Sequence, residues 1–318
     1  MSLAEIIKNQ NFYKKLEEKK EKGTFSNSVM FFCEDEITSR AVLILTALML
    51  EYKTYQLFDE NSSEYLRVLK NADLDIKMYP QNKEKLLVSD SNEIVYETFV
   101  KPVNLENKIF IIESIDESTE QAQNKLLKVL EEPPKNVYFL ISCKAGDKVL
   151  PTIKSRCDKI YVEKVEDEEL NKVCQNPLAV ALSGGYAGRA LELSRKKNLT
   201  ELVDFAISLV SEMKNSAQVL LFSKQFSEFE SDLEFVLKVY SICLEDMIKI
   251  KSEKEEICVL KQYLPVLKAV ENEFSVQAIC EINNLIMHFI EKLHFNANLL
   301  VSVDNLLLKI LEVKYLCK

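Results

Sequence analysis

Apolar residues in the first half of the chain fall into short unbroken runs, separated by stretches where they recur every three or four positions. Val29-Met-Phe-Phe-Cys33, Ile109-Phe-Ile-Ile112 and Val137-Tyr-Phe-Leu-Ile141 show no polar alternation, as expected of strands covered on both faces. A helical spacing over 38–50 follows the first run. Leu86-Leu-Val88 and Ile94-Val-Tyr96, separated by the turn-like Ser-Asp-Ser-Asn, read as two further short strands. Between the second and third buried runs, Ala122, Leu126, Val129 and Leu130 mark a helix. Ser118 with Gln121 supplies a capping box at its start, and Pro133-Pro134 stops it. Strands alternating with helices predict a parallel sheet with helices on both sides.

Beyond about residue 163 the strand signal ends. Residues 165–196 read as short helices around Ser183-Gly-Gly-Tyr-Ala-Gly-Arg-Ala190, which holds three of the five glycines. From about 200 onward the pattern is helical. Leu233, Val236, Tyr240, Cys243 and Met247 form one stripe; Val276, Ile279, Asn283, Ile286 and Ile290 form a second; Leu299, Val303, Leu306 and Ile310 form a third. The expected organisation is an α/β domain over 1–163, a small helical domain over 164–207 and a helical bundle over 208–318. The acidic run from Glu163 to Glu169 reads as a solvated hinge between the first two.

Composition narrows this without changing it. The 318 residues include 41 Lys+Arg against 50 Asp+Glu, a net charge of −9, and only five Gly and seven Pro. That balance disfavours a chain whose main work is coating nucleic acid, which needs clustered cations. The longest apolar run, near Ala41–Leu50, is far short of the roughly 20 residues of a membrane span. The start, Met-Ser-Leu-Ala-Glu, does not read as a secretion signal. The eight cysteines (33, 143, 157, 174, 243, 258, 280 and 317) never lie within four residues of one another, so neither a zinc ribbon nor a redox pair is expected. A reduced cytoplasmic protein is the plain reading. His288 and His294, the only histidines, read as core-edge or surface residues rather than metal ligands.

A strand, turn and helix at the start of an α/β domain invite comparison with a phosphate loop, which uses glycines to expose backbone N–H groups and a lysine to neutralise charge. Here the turn is Cys33-Glu-Asp-Glu-Ile-Thr-Ser-Arg40, with no glycine, no lysine and three carboxylates. Those carboxylates would repel a triphosphate. A Mg²⁺-dependent hydrolase also wants Asp then Glu after a buried strand, to hold metal and orient water; after Ile112 this chain has Glu113-Ser114. Both departures point to a nucleotide-hydrolase fold without its own hydrolysis.

Residues 108–157, especially Thr119-Glu-Gln-Ala-Gln-Asn-Lys-Leu-Leu-Lys-Val-Leu-Glu-Glu-Pro-Pro134 and Ser155-Arg156-Cys157, closely resemble bacterial clamp-loader subunits of the AAA+ class. Ser183–Leu193 resembles the second-sensor segment of that class, with Arg189 at the sensor position; Phe295-Asn-Ala-Asn-Leu-Leu and Asp304–Lys309 resemble its last collar helices. The resemblance implies a RecA-like parallel sheet, a helical lid and an all-α collar. Within the class, an intact Ser-Arg-Cys beside a degraded nucleotide site is similar to the non-hydrolysing delta-prime type of the DNA polymerase III clamp loader.

The resemblance further implies that Arg156 acts as an arginine finger on a neighbouring subunit's ATP, with Ser155 and Cys157 positioning it. No nucleotide is expected at Cys33, Glu36, Ser39, Arg40, Glu113 and Ser114, and Arg189 is expected to pair with an acidic neighbour. Relatives that carry a zinc module place four cysteines between the first helix and the second strand; no Cys lies between 34 and 142 here, so no zinc is expected. Ala145 stands about where active relatives carry a polar first sensor. The implied partners are gamma/tau motor subunits and delta in a hetero-pentameric ring, with sliding clamp and primer-template DNA reached through the complex and no membrane. Rival readings are a delta-like clamp-opening subunit and an ATP-hydrolysing motor.

Overall fold

The computed structural model describes residues 2–81, 85–293 and 299–316, without the side chains of 227, 228, 230 and 299–301. It divides into two compact units, Met1–Glu192 and Leu193–Lys318. His294, Phe295–Asn298 and Cys317 lie outside the described residues.

The first unit begins with α1 (Leu3–Asn9) and α2 (Asn11–Glu21). It continues through β1 (Ser28–Phe32), α3 (Glu36–Glu51), α4 (Ser63–Leu69), β2 (Ile76–Tyr79), α5 (Val88–Glu97), β3 (Lys108–Ile112), α6 (Glu120–Glu131) and β4 (Val137–Cys143). Then come α7 (Pro151–Lys154), β5 (Asp158–Tyr161), α8 (Asp167–Leu170), α9 (Pro177–Leu182) and α10 (Ala187–Arg195), whose last residues, from Leu193, are counted in the second unit. The sheet order is β2-β3-β4-β1-β5 and every pairing is parallel. This is the RecA-like sheet of the AAA+ class, followed by a long helical region.

Strand burial explains the unbroken apolar runs. Every residue of β3 is buried, because helices cover both faces of a parallel sheet. On one face Leu126, Val129 and Leu130 of α6 join Ile94 of α5, Phe110, Phe139 and Cys157 in one core. Helix α3 is apolar nearly all round, with Ala41–Leu45 and Ala47–Met49 buried, because it packs on β3 and β4 and is itself covered by α1 and α4.

The second unit comprises α11 (Leu199–Glu212), α12 (Ser216–Phe226), α13 (Leu233–Lys251), α14 (Leu264–Val270), α15 (Val276–Lys292) and α16 (Leu299–Leu316). Helix α13 packs against α11, α14 and α15, while α16 packs against α12 and α15. All five positions of the first stripe are buried. The second is rotated from expectation: Ala278, Ile279, Ile282 and Ile286 face inward and Val276 is exposed. Val303, Leu306 and Ile310 of the third are buried. Among the described residues no helix is long and apolar enough to cross a membrane.

Three local expectations need correction. The two short strands over 86–96 are one helix, α5: the Asp90 carboxylate accepts from the Leu87 N–H at 2.8 Å, so the supposed turn is a helix start. Strands β2 and β5 stand in the sheet instead. The α6 cap is Thr119, whose hydroxyl accepts from the Ala122 N–H at 3.3 Å, because the Ser118 hydroxyl donates to the Ile115 carbonyl at 2.5 Å.

Candidate functional site

The turn after β1 runs straight into α3, and its own side chains occupy the helix start. Asp35 Oδ2 accepts from the Thr38 N–H at 2.8 Å and from the Thr38 hydroxyl at 2.6 Å. The Ser39 N–H donates to the Asp35 carbonyl at 2.9 Å. A phosphate would need those N–H groups free. Instead a buried carboxylate already sits against the positive end of the helix.

The start of α10 presses on the same spot. The Gly188 N–H donates to Thr38 Oγ1 at 2.9 Å. A Cβ on Gly188 would stand 2.5 Å from Thr38 N and 2.8 Å from its Oγ1, so backbone meets backbone there. Arg189 Nε lies 3.4 Å from Asp35 Oδ1, and its guanidinium carbon is 5.7 Å from the centre of the Tyr186 ring. Arg189 therefore has a carboxylate partner within the chain.

Beside this closed turn is a small cavity of about 80 Å³, well under the roughly 300 Å³ at which small-molecule pockets begin. Cys33, Glu36, Ser39, Arg40, Glu113 and Ser114 all line it, so the residues assigned to a degraded nucleotide site do meet. Arg40 Nε pairs with Glu113 Oε1 at 2.7 Å. Lys144, which the sequence reading missed, lies 2.7 Å from both Glu36 Oε1 and Glu117 Oε1. Burial works against its charge, but hydrogen bonds to Glu117 and Glu36 prevail and hold its pKa well above the ordinary lysine value. Its one sequence signal was its place, directly after the buried β4 run. Burial pushes the Cys33 and Cys143 thiols up to about 12, so neither is a nucleophile near neutrality.

Residues 155–157 leave the short helix α7. Ser155 is exposed and its hydroxyl donates to the Thr152 carbonyl at 3.1 Å. Cys157 points into the core under the sheet; burial first, then the Asp158 charge, raises its thiol to about 12. Between them, Arg156 Nη1 donates to the Thr152 carbonyl at 2.8 Å and Nη2 pairs with Glu131 Oε1 at 2.9 Å. Its side chain is 28% exposed, and its Nε is buried without a hydrogen-bond acceptor. Lys154 turns back to the Gly146 carbonyl at 3.0 Å. Ala145 is exposed.

A protein-family model described as "DNA polymerase III, delta subunit" matches residues 8–166. The chain belongs to the DNA polymerase III delta/delta-prime-like clamp-loader family. The Bacillus subtilis DNA polymerase III subunit delta' is 24% identical over 221 residues, covering 64% of this chain and 66% of that protein. The Haemophilus influenzae subunit delta' is 27% identical over 162 residues, 47% of this chain and 49% of that one. Among solved structures, a DNA polymerase III gamma subunit-related protein from Thermotoga maritima superposes with a TM-score of 0.50 at 18% identity, over 95% of this chain and 99% of that one. The last likeness concerns the fold, and it extends over both units.

Proposed function

We propose that this chain is a delta-prime-like, non-hydrolysing subunit of a DNA polymerase III clamp loader, offering Arg156 in trans to the ATP of a neighbouring motor subunit. It would join gamma/tau and delta subunits in a hetero-pentameric ring in the cytoplasm, and reach sliding clamp and primer-template DNA through that ring. Residues 164–207 would serve as lid and 208–318 as collar. The carrying observation is the self-bonded start of α3, where Asp35, Thr38 and Gly188 hydrogen-bond one another, while Ser155-Arg156-Cys157 keeps a partly exposed arginine in the same unit. An arginine fork matches phosphate oxygens and is always charged. Against a motor role stands Asp35, which supplies negative charge where a triphosphate would bind.

A second reading has one observation in its favour. Tyr96, Phe99 and Val103, at the end of α5 and in the following loop, are 70%, 74% and 68% exposed, a surface a delta-like clamp-opening subunit could use. Ser155–Cys157 favours the first reading.

The test is ATP turnover by a reconstituted loader, with clamp and primed DNA, using the wild-type chain or Arg156→Ala. Loss of a trans finger costs on the order of 10³–10⁵ in rate. The expected result is collapse of stimulated turnover with assembly unchanged by gel filtration and no turnover from the chain alone. Wild-type turnover with Arg156→Ala would reduce the chain to a ring brace.

A further inference from the structure

Glu131 is the last residue of α6, a poor place for an acid. Carboxylates near a helix C-terminus oppose the helix dipole, and Glu132 adds a second negative charge beside it. Helix stability therefore does not account for Glu131. Its carboxylate pairs with Nη2 of Arg156, just past the end of α7, while Nη1 donates to the Thr152 carbonyl. Each terminal nitrogen thus spends one of its two N–H groups within the chain, so part of the fork is already committed to Glu131 and Thr152.

We infer that Glu131 is a positioning residue that parks Arg156 against its own subunit, retracting the finger until a neighbour's nucleotide competes for it. This rests on the trans-finger reading of Arg156 given above. The latch is built to be weak. Glu131 is 58% exposed and Arg156 28% exposed, and ion pairs near water shift equilibria only modestly. A nucleotide phosphate offers more charge and a bidentate match, so it outcompetes one wet carboxylate and one carbonyl. An incoming ATP then draws Arg156 out, and its loss lets the arginine return. Parking would keep the finger from engaging wrong anions before the ring forms.

Two arms test this with Glu131→Gln, an isosteric change at an exposed helix end that should leave the fold intact by circular dichroism. In the first, the isolated full-length chain is treated with phenylglyoxal and modification of Arg156 is followed by peptide mass spectrometry. Release of the pair should speed modification roughly 1.5- to 5-fold. In the second, stimulated ATP turnover of the reconstituted loader is measured for wild type, Glu131→Gln, Arg156→Ala and the double variant. Turnover should rise by a similar factor in Glu131→Gln, and the double variant should match Arg156→Ala.

An unchanged modification rate overturns the latch even when Arg156→Ala abolishes turnover, in which case the finger stands alone. Faster modification with turnover unchanged or lowered overturns parking as a control on the finger. Arg156→Ala at wild-type turnover removes the finger itself. The first arm, which needs no partner, separates that failure from failure of the latch.

Discussion

Gly188 lies where a side chain cannot. Its missing Cβ would come within 2.8 Å of Ile37 Cγ2 as well as 2.5 Å of Thr38 N, and the Thr38 amide is fixed by the Asp35 carboxylate. Gly188→Ala must therefore push the start of α10 away from α3, breaking the Gly188–Thr38 bond. Overpacking of this kind costs about 1–3 kcal/mol, so the variant should melt several degrees below wild type by calorimetry. An unchanged melting temperature would mean that α10 is not pressed on the helix start. The charge of the turn, Glu34-Asp35-Glu36, was legible in the sequence because an anion site cannot be built from carboxylates. Its closure was not, because Gly188 and Thr38 are 150 residues apart and neither carries a signal alone. Lys144 offered only its place after β4, because its meaning lies in two carboxylates from different elements.

Among the elements, the buried strands were legible and the edge strands were not. β1, β3 and β4 announce themselves as apolar runs, whereas β2 is Ile-Lys-Met-Tyr and β5 is Asp-Lys-Ile-Tyr, too mixed to stand out. Residues 86–96 misled because Ser and Asp favour turns and helix starts alike. Beside the ladder that pairs β2 with β3, a buried carboxylate ties the start of β2 to the loop before β3. Asp75, fully buried just before β2, accepts from the N–H groups of Val103, Asn104 and Leu105 at 2.8, 2.7 and 3.0 Å, and its carbonyl accepts from Ile109 N. This device orders the loop leading to β3, including the exposed Val103. Asp75→Ala leaves three donors without their acceptor and should cost on the order of 3 kcal/mol. Hydrogen exchange should show Val103–Leu105 amides losing protection together. Retained protection there would show that the loop is held by other contacts.

Over the whole molecule, each unit carries an acid-sensitive clasp of its own. In the first, Lys108 and Lys77 overcome the opposing effect of burial and hold the Glu97 carboxyl below its usual value. In the second, Glu273 bridges distant segments, lying 2.7 Å from the buried Lys314 of α16 and 3.0 Å from Lys214. Hydrogen bonding to Lys314 first, with burial opposing and Lys214 adding, lowers its pKa from the ordinary 4.5. A carboxyl depressed in the folded state stabilises it fully above its unfolded value and loses that contribution as pH falls through the lower folded value. The wild-type chain should therefore exceed Glu273→Gln in unfolding free energy at pH 7, and the gap should narrow below about pH 4.5 as Glu273 takes up its proton. Urea titrations followed by helical circular dichroism, repeated from pH 7 to pH 3, measure that gap. The Glu97 clasp persists in both chains, so the variant should still lose stability in acid, only less steeply. A gap that stays constant across that range would mean the shape of the side chain, not its charge, ties α16 into the bundle.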